Sequence, residues 1–190
     1  MSNRIEWLDI AKGLGIFCIV IGHNAVTQWL YNWVYSFHVP LFFIISGYFY
    51  RPRGWRETLA KGWKQLLRPM LLTILIAQAL MLFLYVRRGF WSGPPVGEWL
   101  IDVMTDRGDG HVFALWFLAA LFWGKLWMYL MERFHIPAFT QFNLAAFLFL
   151  AGYMFSQYYV VPWMFFQGMA VPLFLCIGRW LNQESIVERE

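Results

Sequence analysis

The chain has 190 residues, and 60% of them are hydrophobic, against about 45–50% in an ordinary soluble protein. Aromatic residues make up 21% of the chain and charged residues only 14%, which is more apolar surface than so small a domain can bury. The composition therefore excludes a small soluble domain and indicates an integral membrane protein. The net charge of +4 is spread between apolar runs instead of lying on one solvated face, so the sequence predicts no nucleic-acid partner.

Apolar runs divide the chain into six stretches, each long enough to cross a bilayer, which takes about 20 helical residues. The sequence therefore predicts an all-α fold, a polytopic bundle of about six transmembrane helices in a single membrane domain that fills residues 1–190. The predicted spans are 11–29, 34–50, 69–86, 112–131, 142–159 and 162–180. Pro40 is placed near the start of the second span. The last two spans are separated only by Tyr158 to Pro162, so we expect them to form a tight hairpin.

Basic residues set the predicted orientation in the membrane. Between the second and third spans lie Arg51, Arg53, Arg56, Lys61, Lys64 and Arg68, whereas the link between the first and second spans carries no charge. Because positively charged links stay on the cytoplasmic side, both termini are predicted to be cytoplasmic. The outer loop at 87–111 is slightly acidic, and the helical spacing of its apolar residues from 99 to 104 predicts a short helix on the outer surface.

The first span carries polar residues at spacings that place them on one helical stripe. Lys12 and His23 are eleven residues apart, which returns a helix to within about 20° of the same face and separates them by about 16 Å along its axis. Asp9 lies within about 40° of that stripe. An ionisable residue inside a span is costly and typically faces the interior of the bundle. We therefore expect a polar column from the cytoplasmic edge to the middle of the membrane.

Such a column suits the activation of a hydroxyl group. A desolvated imidazole stays neutral and accepts a proton from a nucleophile, so His23 is the candidate general base. Asp9, in the same column, is the second candidate catalytic residue. Lys12, at the membrane surface, is placed to bind an anion such as a phosphate, with help from the basic link after the second span. Two other interpretations stay open: a histidine that is hydrogen-bonded between helices, and a lysine that only orients the helix.

Packing also explains several of the remaining candidates. Gly15 and Gly22 lie one heptad apart and predict the close approach of another helix. Ser46 and Gly47 would bring a hydroxyl and a close backbone to the phosphate end of the column, but helix packing explains them equally well. Asn24 is expected either to orient the neighbouring histidine or to bond a neighbouring helix.

Two residues near the outer ends of spans are candidate substrate contacts. His38 precedes a proline at the outer end of the second span, and Trp116 lies near the outer end of the fourth. Interfacial histidines carry little cost and tryptophan is a common interface anchor, so both also have an ordinary interpretation. Cys18 and Cys176 lie far apart in apolar segments, which predicts neither a metal site nor a disulfide framework.

Three segments resemble the acyltransferase 3 family of membrane acyltransferases, particularly its fucose 4-O-acetylase-like branch. The opening Arg4 to Gly13 (RIEWLDIAKG), followed by Gly22-His23, is similar to that family's motif of a basic residue, ten intervening residues and a histidine. The segment Phe37 to Tyr48 (FHVPLFFIISGY) is similar to the signature FHxPLFFxxSGY, and Leu115 to Leu118 (LWFL) is a weaker match.

The resemblance implies transfer of an acyl group, commonly acetyl from acetyl-CoA on the cytoplasmic side, to a hydroxyl of a sugar or another extracytoplasmic acceptor, without a metal. It makes His23 the essential histidine and Lys12 the basic residue of the motif. The cytoplasmic cations would be the acyl-CoA region, with Lys64 and Arg68 where family members often have paired basic residues before a proline. The pantetheine arm would connect phosphates near Lys12 to a thioester near His23. The resemblance also suggests a bacterial inner membrane.

Family members usually have more spans, so the six predicted here resemble the front part of a usual member. The chain is then a fragment, a shortened gene product, or a protein whose cavity is completed by a partner or by self-association. The alternative function is a catalytically inactive membrane subunit or transporter-like element that needs a partner.

Overall fold

The computed structural model of the chain describes residues 5–24, 27–88, 115–159 and 161–184, without the side chains at 23, 81, 85, 88, 162 and 184. The described elements are α1 (Glu6–His23), α2 (Gln28–Tyr48), α3 (Trp55–Gly62), a π-helical turn (Trp63–Leu67), α4 (Arg68–Arg88), α5 (Trp116–Arg133), α6 (Ala138–Ser156), a 3-10 turn (Pro162–Met164) and α7 (Phe165–Glu184). These residues contain no strand, so the all-α prediction is confirmed. The helix predicted on the outer loop lies outside the described residues.

Six long helices are present in this part of the chain, because α3, the π-helical turn and α4 follow one another with helical backbone angles at both junctions. Each long helix covers most of one predicted span. Within the described residues, two stretches, Trp55–Leu84 and Ala138–Ser156, are long and apolar enough to cross a membrane. The number of crossings and the side on which the termini lie therefore stay predictions.

The bounds of the first two helices differ from the predicted ones. α1 ends at His23, six residues before the end of the predicted span. The side-chain nitrogen of Asn24 donates to the carbonyl of Val20 at 2.8 Å and caps the helix there. α2 begins six residues early, because the Thr27 hydroxyl accepts a hydrogen bond from the first turn. Pro40 consequently lies inside α2 and not near its start, where it removes one donor from the helical ladder.

The basic link after α2 is helical over most of its length, which the sequence analysis did not anticipate. Trp55, Leu59 and Trp63 are exposed at successive turns of this helix, 55%, 39% and 52% respectively. A helix with such a stripe beside charged residues is typical of a membrane interface.

The chain forms two compact units, the first made of residues 1–51 and 174–190 and the second of residues 52–173. In the first unit, α1 and α2 form an antiparallel pair. A Cβ at Gly15 would meet the ring of Phe42 at 3.0 Å, and a Cβ at Gly22 would meet the ring of Tyr35 at 2.9 Å. The close approach predicted from the two glycines is thus confirmed. The core of this pair is formed by Leu8, Ile45 and Tyr48.

The end of α2 crosses the second half of α7 with backbone against backbone, also within the first unit. Gly47 lies against the backbone of Leu175, and Gly178 lies against the backbone of Ile44, where no Cβ would fit. The side-chain amide of Asn182 donates to the carbonyl of Tyr48 at 2.8 Å, near the end of α2. These contacts fix the segment in which the FHVPLFFIISGY motif ends.

In the second unit, glycines again mark the close contacts. Gly62 lies against Phe122, Gly124 against Val171, and Gly168 against Trp123. The indole of Trp123 also donates to the carbonyl of Trp163 in the 3-10 turn, at 2.9 Å. Gly152 of α6 packs on the first turns of α7, which confirms the predicted hairpin of the last two helices.

Apolar side chains are exposed along several helices, as on a lipid-facing surface. Examples are Phe17 (63%), Ile76 (68%) and Phe147 (64%). A soluble protein rarely exposes so many large apolar groups, so these faces agree with a membrane environment.

Candidate active site

Asp9 and Lys12 form an ion pair near the start of α1. The Lys12 Nζ lies 3.3 Å from the Asp9 Oδ1, and the two side chains are 39% and 36% exposed, respectively. The same ammonium lies 5.4 Å from the ring centroid of Phe49, which follows α2. The pair and the ring hold the lysine at the end of α2, where its ammonium is still accessible to an anion.

His23 lies on the same continuous helix as these two residues. Between Lys12 and His23, α1 is unbroken, so the rise of the helix places their backbones about 16 Å apart along the axis. Asp9 is about 21 Å from His23 by the same measure, and its observed partner is Lys12 at the opposite end. His23 is the last residue of α1, and its predicted position in the middle of the membrane stays a prediction. Its side chain lies outside the described part, and the general-base role stays a prediction.

Asn24 has a use that was not anticipated. Its side-chain nitrogen donates to the carbonyl of Val20 and its backbone N–H to the carbonyl of Ile21, at 2.8 and 3.1 Å. Both bonds are made to its own helix. This asparagine therefore caps α1 directly after the candidate base, and its contact with substrate stays a prediction.

His38 is not at an interface, as its sequence context suggested, but buried inside α2 with 3% exposure. The reason is the early start of α2, which places it in the middle of that helix. Its Nδ1 donates to the carbonyl of Val34 at 2.7 Å, and the ring of Tyr35 packs edge-on at 4.8 Å. Because the carbonyl only accepts, the neutral ring leaves Nε2 as an acceptor.

Ser46 and Gly47 lie in the last turn of α2. Gly47 is required by the crossing with Leu175, so packing explains it. Ser46 is half-buried beside it, and its contact with the acyl donor stays a prediction.

Three of the predicted residues lie in the second unit. Lys64 and Arg68 are exposed, one in the π-helical turn and one at the start of α4, while Leu66 and Leu67 between them are buried. The two cations are thus presented outward by a helix that is anchored on its other face. Trp116 is the first residue of α5 and is half-buried.

A cluster of three charged side chains lies at α3: Arg53 just before the helix, and Glu57 and Lys61 within it. The Glu57 Oε1 accepts from the Arg53 Nε at 3.0 Å and from the Lys61 Nζ at 2.7 Å. The hydrogen bond from Lys61 lowers the pKa of the Glu57 carboxyl, and the charges of both cations act in the same direction. Glu57 therefore stays ionised and holds the two cations together on one face.

Sequence reasoning missed Lys125, a half-buried lysine in the middle of α5. The rule that drew attention to His23, an ionisable residue inside a predicted span, applies equally to this lysine. In the sequence, this lysine has no other charged residue at helical spacing within its span that would form a stripe like that of α1. Two indole nitrogens were also missed: within the described part of the chain, the buried Nε1 atoms of Trp7 and Trp127 have no hydrogen-bond partner.

The described residues contain no group of three or more histidine, cysteine, aspartate or glutamate side chains that could hold a metal ion. Cys18 and Cys176 are both half-buried and are not joined in a disulfide.

Comparison with known proteins gives one match. A family model described as an acyltransferase domain matches residues 5–184, which include every candidate residue named above. No curated protein and no solved structure matches the chain.

Proposed function

Because the chain belongs to the acyltransferase 3 family, whose members are membrane proteins, we propose that it is an integral membrane O-acyltransferase. It moves an acyl group, in our proposal acetyl, from acyl-CoA to a hydroxyl of a sugar or an extracytoplasmic glycan. The fucose 4-O-acetylase-like branch and a bacterial inner membrane belong to the same proposal.

The observation that carries the proposal is the arrangement of α1. One unbroken helix presents an accessible lysine near its start and a histidine at its end, about 16 Å apart along the axis. A long, narrow donor with phosphates at one end and a thioester at the other fits this separation. Lys12 binds the phosphate end in this scheme, and His23 meets the thioester.

In the proposed reaction, His23 accepts the proton of the acceptor hydroxyl as the oxygen attacks the thioester carbonyl. The carbon–oxygen bond forms, the carbon–sulfur bond breaks, and the CoA thiolate leaves. The imidazolium then returns its proton to the thiolate, so the products are the acyl ester and CoA.

His38 is the acceptor contact that the packing supports best. Gly22, directly before His23, packs on Val34 and Tyr35, and the Nδ1 of His38 is bonded to the carbonyl of Val34. The backbones of the two histidines are therefore within about one helical turn of the same level. The free Nε2 lone pair of His38 would accept a hydrogen bond from a sugar hydroxyl. Asn24 and Trp116 are proposed as further acceptor contacts.

The experiment uses the full chain in nanodiscs with labelled acetyl-CoA and a panel of sugar acceptors. We expect His23→Ala to lower transfer by about 10²- to 10⁴-fold, the usual contribution of a general base, while the protein remains inserted. His135→Asn is the matched control: this histidine is exposed after α5 and has a positive φ of 51°, which asparagine tolerates.

Wild-type transfer by His23→Ala would remove the general-base role. A folded, inserted wild-type chain that transfers nothing to any acceptor would instead support a non-catalytic membrane subunit.

A further inference from the structure

Lys125 is a cation in an apolar stretch of helix. It is the only charged residue of α5 before Glu132. Its side chain is half-buried, and among the described residues it forms no salt bridge. A buried charge without a counterion is costly, and ionisable residues in such helices commonly mark a binding site.

The side of α5 that carries Lys125 is covered by α3. Phe122 and Lys125 are three residues apart and so lie on the same side of the helix. The ring of Phe122 lies against Gly62 of α3, where an added Cβ would come within 2.7 Å of the ring. Lysines that only orient a helix reach toward lipid headgroups along an open face. Lys125 instead lies on a face covered by a charged helix.

A second cation acts on Lys125 there. The guanidinium of Arg53, which lies just before α3, repels the Lys125 ammonium electrostatically. Arg53 and Lys61 share the single carboxylate oxygen of Glu57. Arg53 and Lys61 thus have one carboxylate between them, and Lys125 forms no ion pair among the described residues, so positive charge exceeds negative charge here. Such a cluster is stabilised when an anion enters between the cations.

We propose that Arg53, Lys61 and Lys125 bind a phosphate group, with Lys125 at its inner side. A phosphate carries the charge that the cluster lacks and accepts several charge-assisted hydrogen bonds at once. The guanidinium offers a planar pair of donors, and each ammonium offers a compact charge. The phosphate belongs either to an acyl-CoA, in which case the inference rests on the proposed function, or to the headgroup of an anionic lipid.

The first arm of the test measures equilibrium binding of CoA and of pantetheine, which lacks phosphate, to the full chain in phosphatidylcholine nanodiscs. We expect Lys125→Met to weaken CoA binding about tenfold or more and to leave pantetheine binding unchanged. Lys125→Arg should restore most of the affinity. Arg133→Met is the matched control, because it removes an exposed cation from the end of the same helix.

The second arm adds phosphatidylglycerol to the nanodiscs and counts the lipid molecules retained by native mass spectrometry. Loss of retained phosphatidylglycerol in Lys125→Met, with CoA binding unchanged, would identify the lipid as the source of the phosphate. If neither CoA binding nor lipid retention changes, the phosphate site is overturned. Where Lys125→Met does not fold, CoA binding and lipid retention are measured in Arg53→Met instead. Arg53 lies in the link ahead of α3, so its replacement leaves the helix packing in place.

Because CoA binding is measured without turnover, the experiment tests the phosphate site independently of the proposed acyltransferase activity. A chain that binds CoA through Lys125 but transfers no acyl group contradicts the proposed function alone. A chain that transfers acetyl groups normally, with unchanged CoA and lipid binding in Lys125→Met, contradicts only the phosphate site.

Discussion

The Nδ1 of His38 donates to the carbonyl of Val34 at 2.7 Å, within one turn of α2. This bond selects the ring tautomer, because a carbonyl accepts and never donates. In this tautomer the Nε2 carries the lone pair, at the level of the helix pair where Gly22 packs on Tyr35. A buried ring whose Nδ1 is fixed by the helix and whose Nε2 can accept a hydrogen bond is suited to orient a hydroxyl.

His38→Asn is expected to distinguish the structural role of Nδ1 from the proposed substrate-binding role of Nε2. The asparagine amide preserves a donor for the Val34 carbonyl but removes the acceptor at Nε2. We expect thermal stability close to that of the wild type and a fall of about tenfold in kcat/KM for the acceptor, as for the loss of one hydrogen bond to a charged or reacting group. Steady-state kinetics and thermal unfolding measure both. His38→Leu, which loses both nitrogens, should also be destabilised. Unchanged acceptor kinetics in His38→Asn would make this histidine purely structural.

Lys12→Ala is expected to weaken acyl-CoA binding about tenfold or more, because it removes a charge-assisted hydrogen bond to phosphate. Its effect on unfolding should stay within about 1 kcal/mol, since the pair with Asp9 is more than a third exposed. Asp9→Asn serves as the companion variant: it removes the competing carboxylate while keeping the lysine, so CoA should bind at least as tightly. Equal CoA affinity in Lys12→Ala and wild type would leave the lysine as an orientation signal only.

The double variant Lys64→Gln/Arg68→Gln is expected to bind acyl-CoA more weakly and with a smaller dependence on salt. Both side chains are exposed, so the free energy of unfolding should change by no more than about 0.5 kcal/mol. Binding titrations at several salt concentrations measure the difference. Arg133→Gln, another exposed cation, is the control. A salt dependence identical to that of the wild type would exclude both residues from the donor site.

Hydropathy and glycine spacing predicted much of the fold. Each of the six apolar runs overlaps a long helix, because a run of that length and composition has few other stable structures in a bilayer. Gly15 and Gly22 predicted the packing of α1 on α2 because small residues allow helices to approach closely.

The helix ends and the basic link were not predictable in the same way. The side chains of Asn24 and Thr27 each make one hydrogen bond at the end of α1 and the start of α2, and a hydropathy average does not register such bonds. The link became helical because Arg53, Glu57 and Lys61 pair at successive turns, while buried leucines anchor the π-helical turn.

The candidate site was predictable only along one helix. The stripe from Asp9 to His23 follows from the geometry of α1 alone. The repulsion between Arg53 and Lys125 depends on the packing of α3 against α5, which no local pattern contains. Residues brought together by tertiary structure were therefore missed.

Gly178→Ala is expected to be strongly destabilising, because the added Cβ would meet the backbone of Ile44 where α7 crosses α2. Backbone atoms cannot move aside as a flexible side chain does, so the cost should reach or exceed the usual 1–3 kcal/mol of overpacking. Gly13→Ala is the matched control: nothing lies within 4 Å of its added Cβ, and alanine in a helix interior is favoured over glycine by about 0.5–1 kcal/mol. The free energy of unfolding, measured in the same detergent, should therefore fall in Gly178→Ala and rise in Gly13→Ala. A Gly178→Ala protein as stable as the wild type would mean that α2 and α7 do not cross at this point.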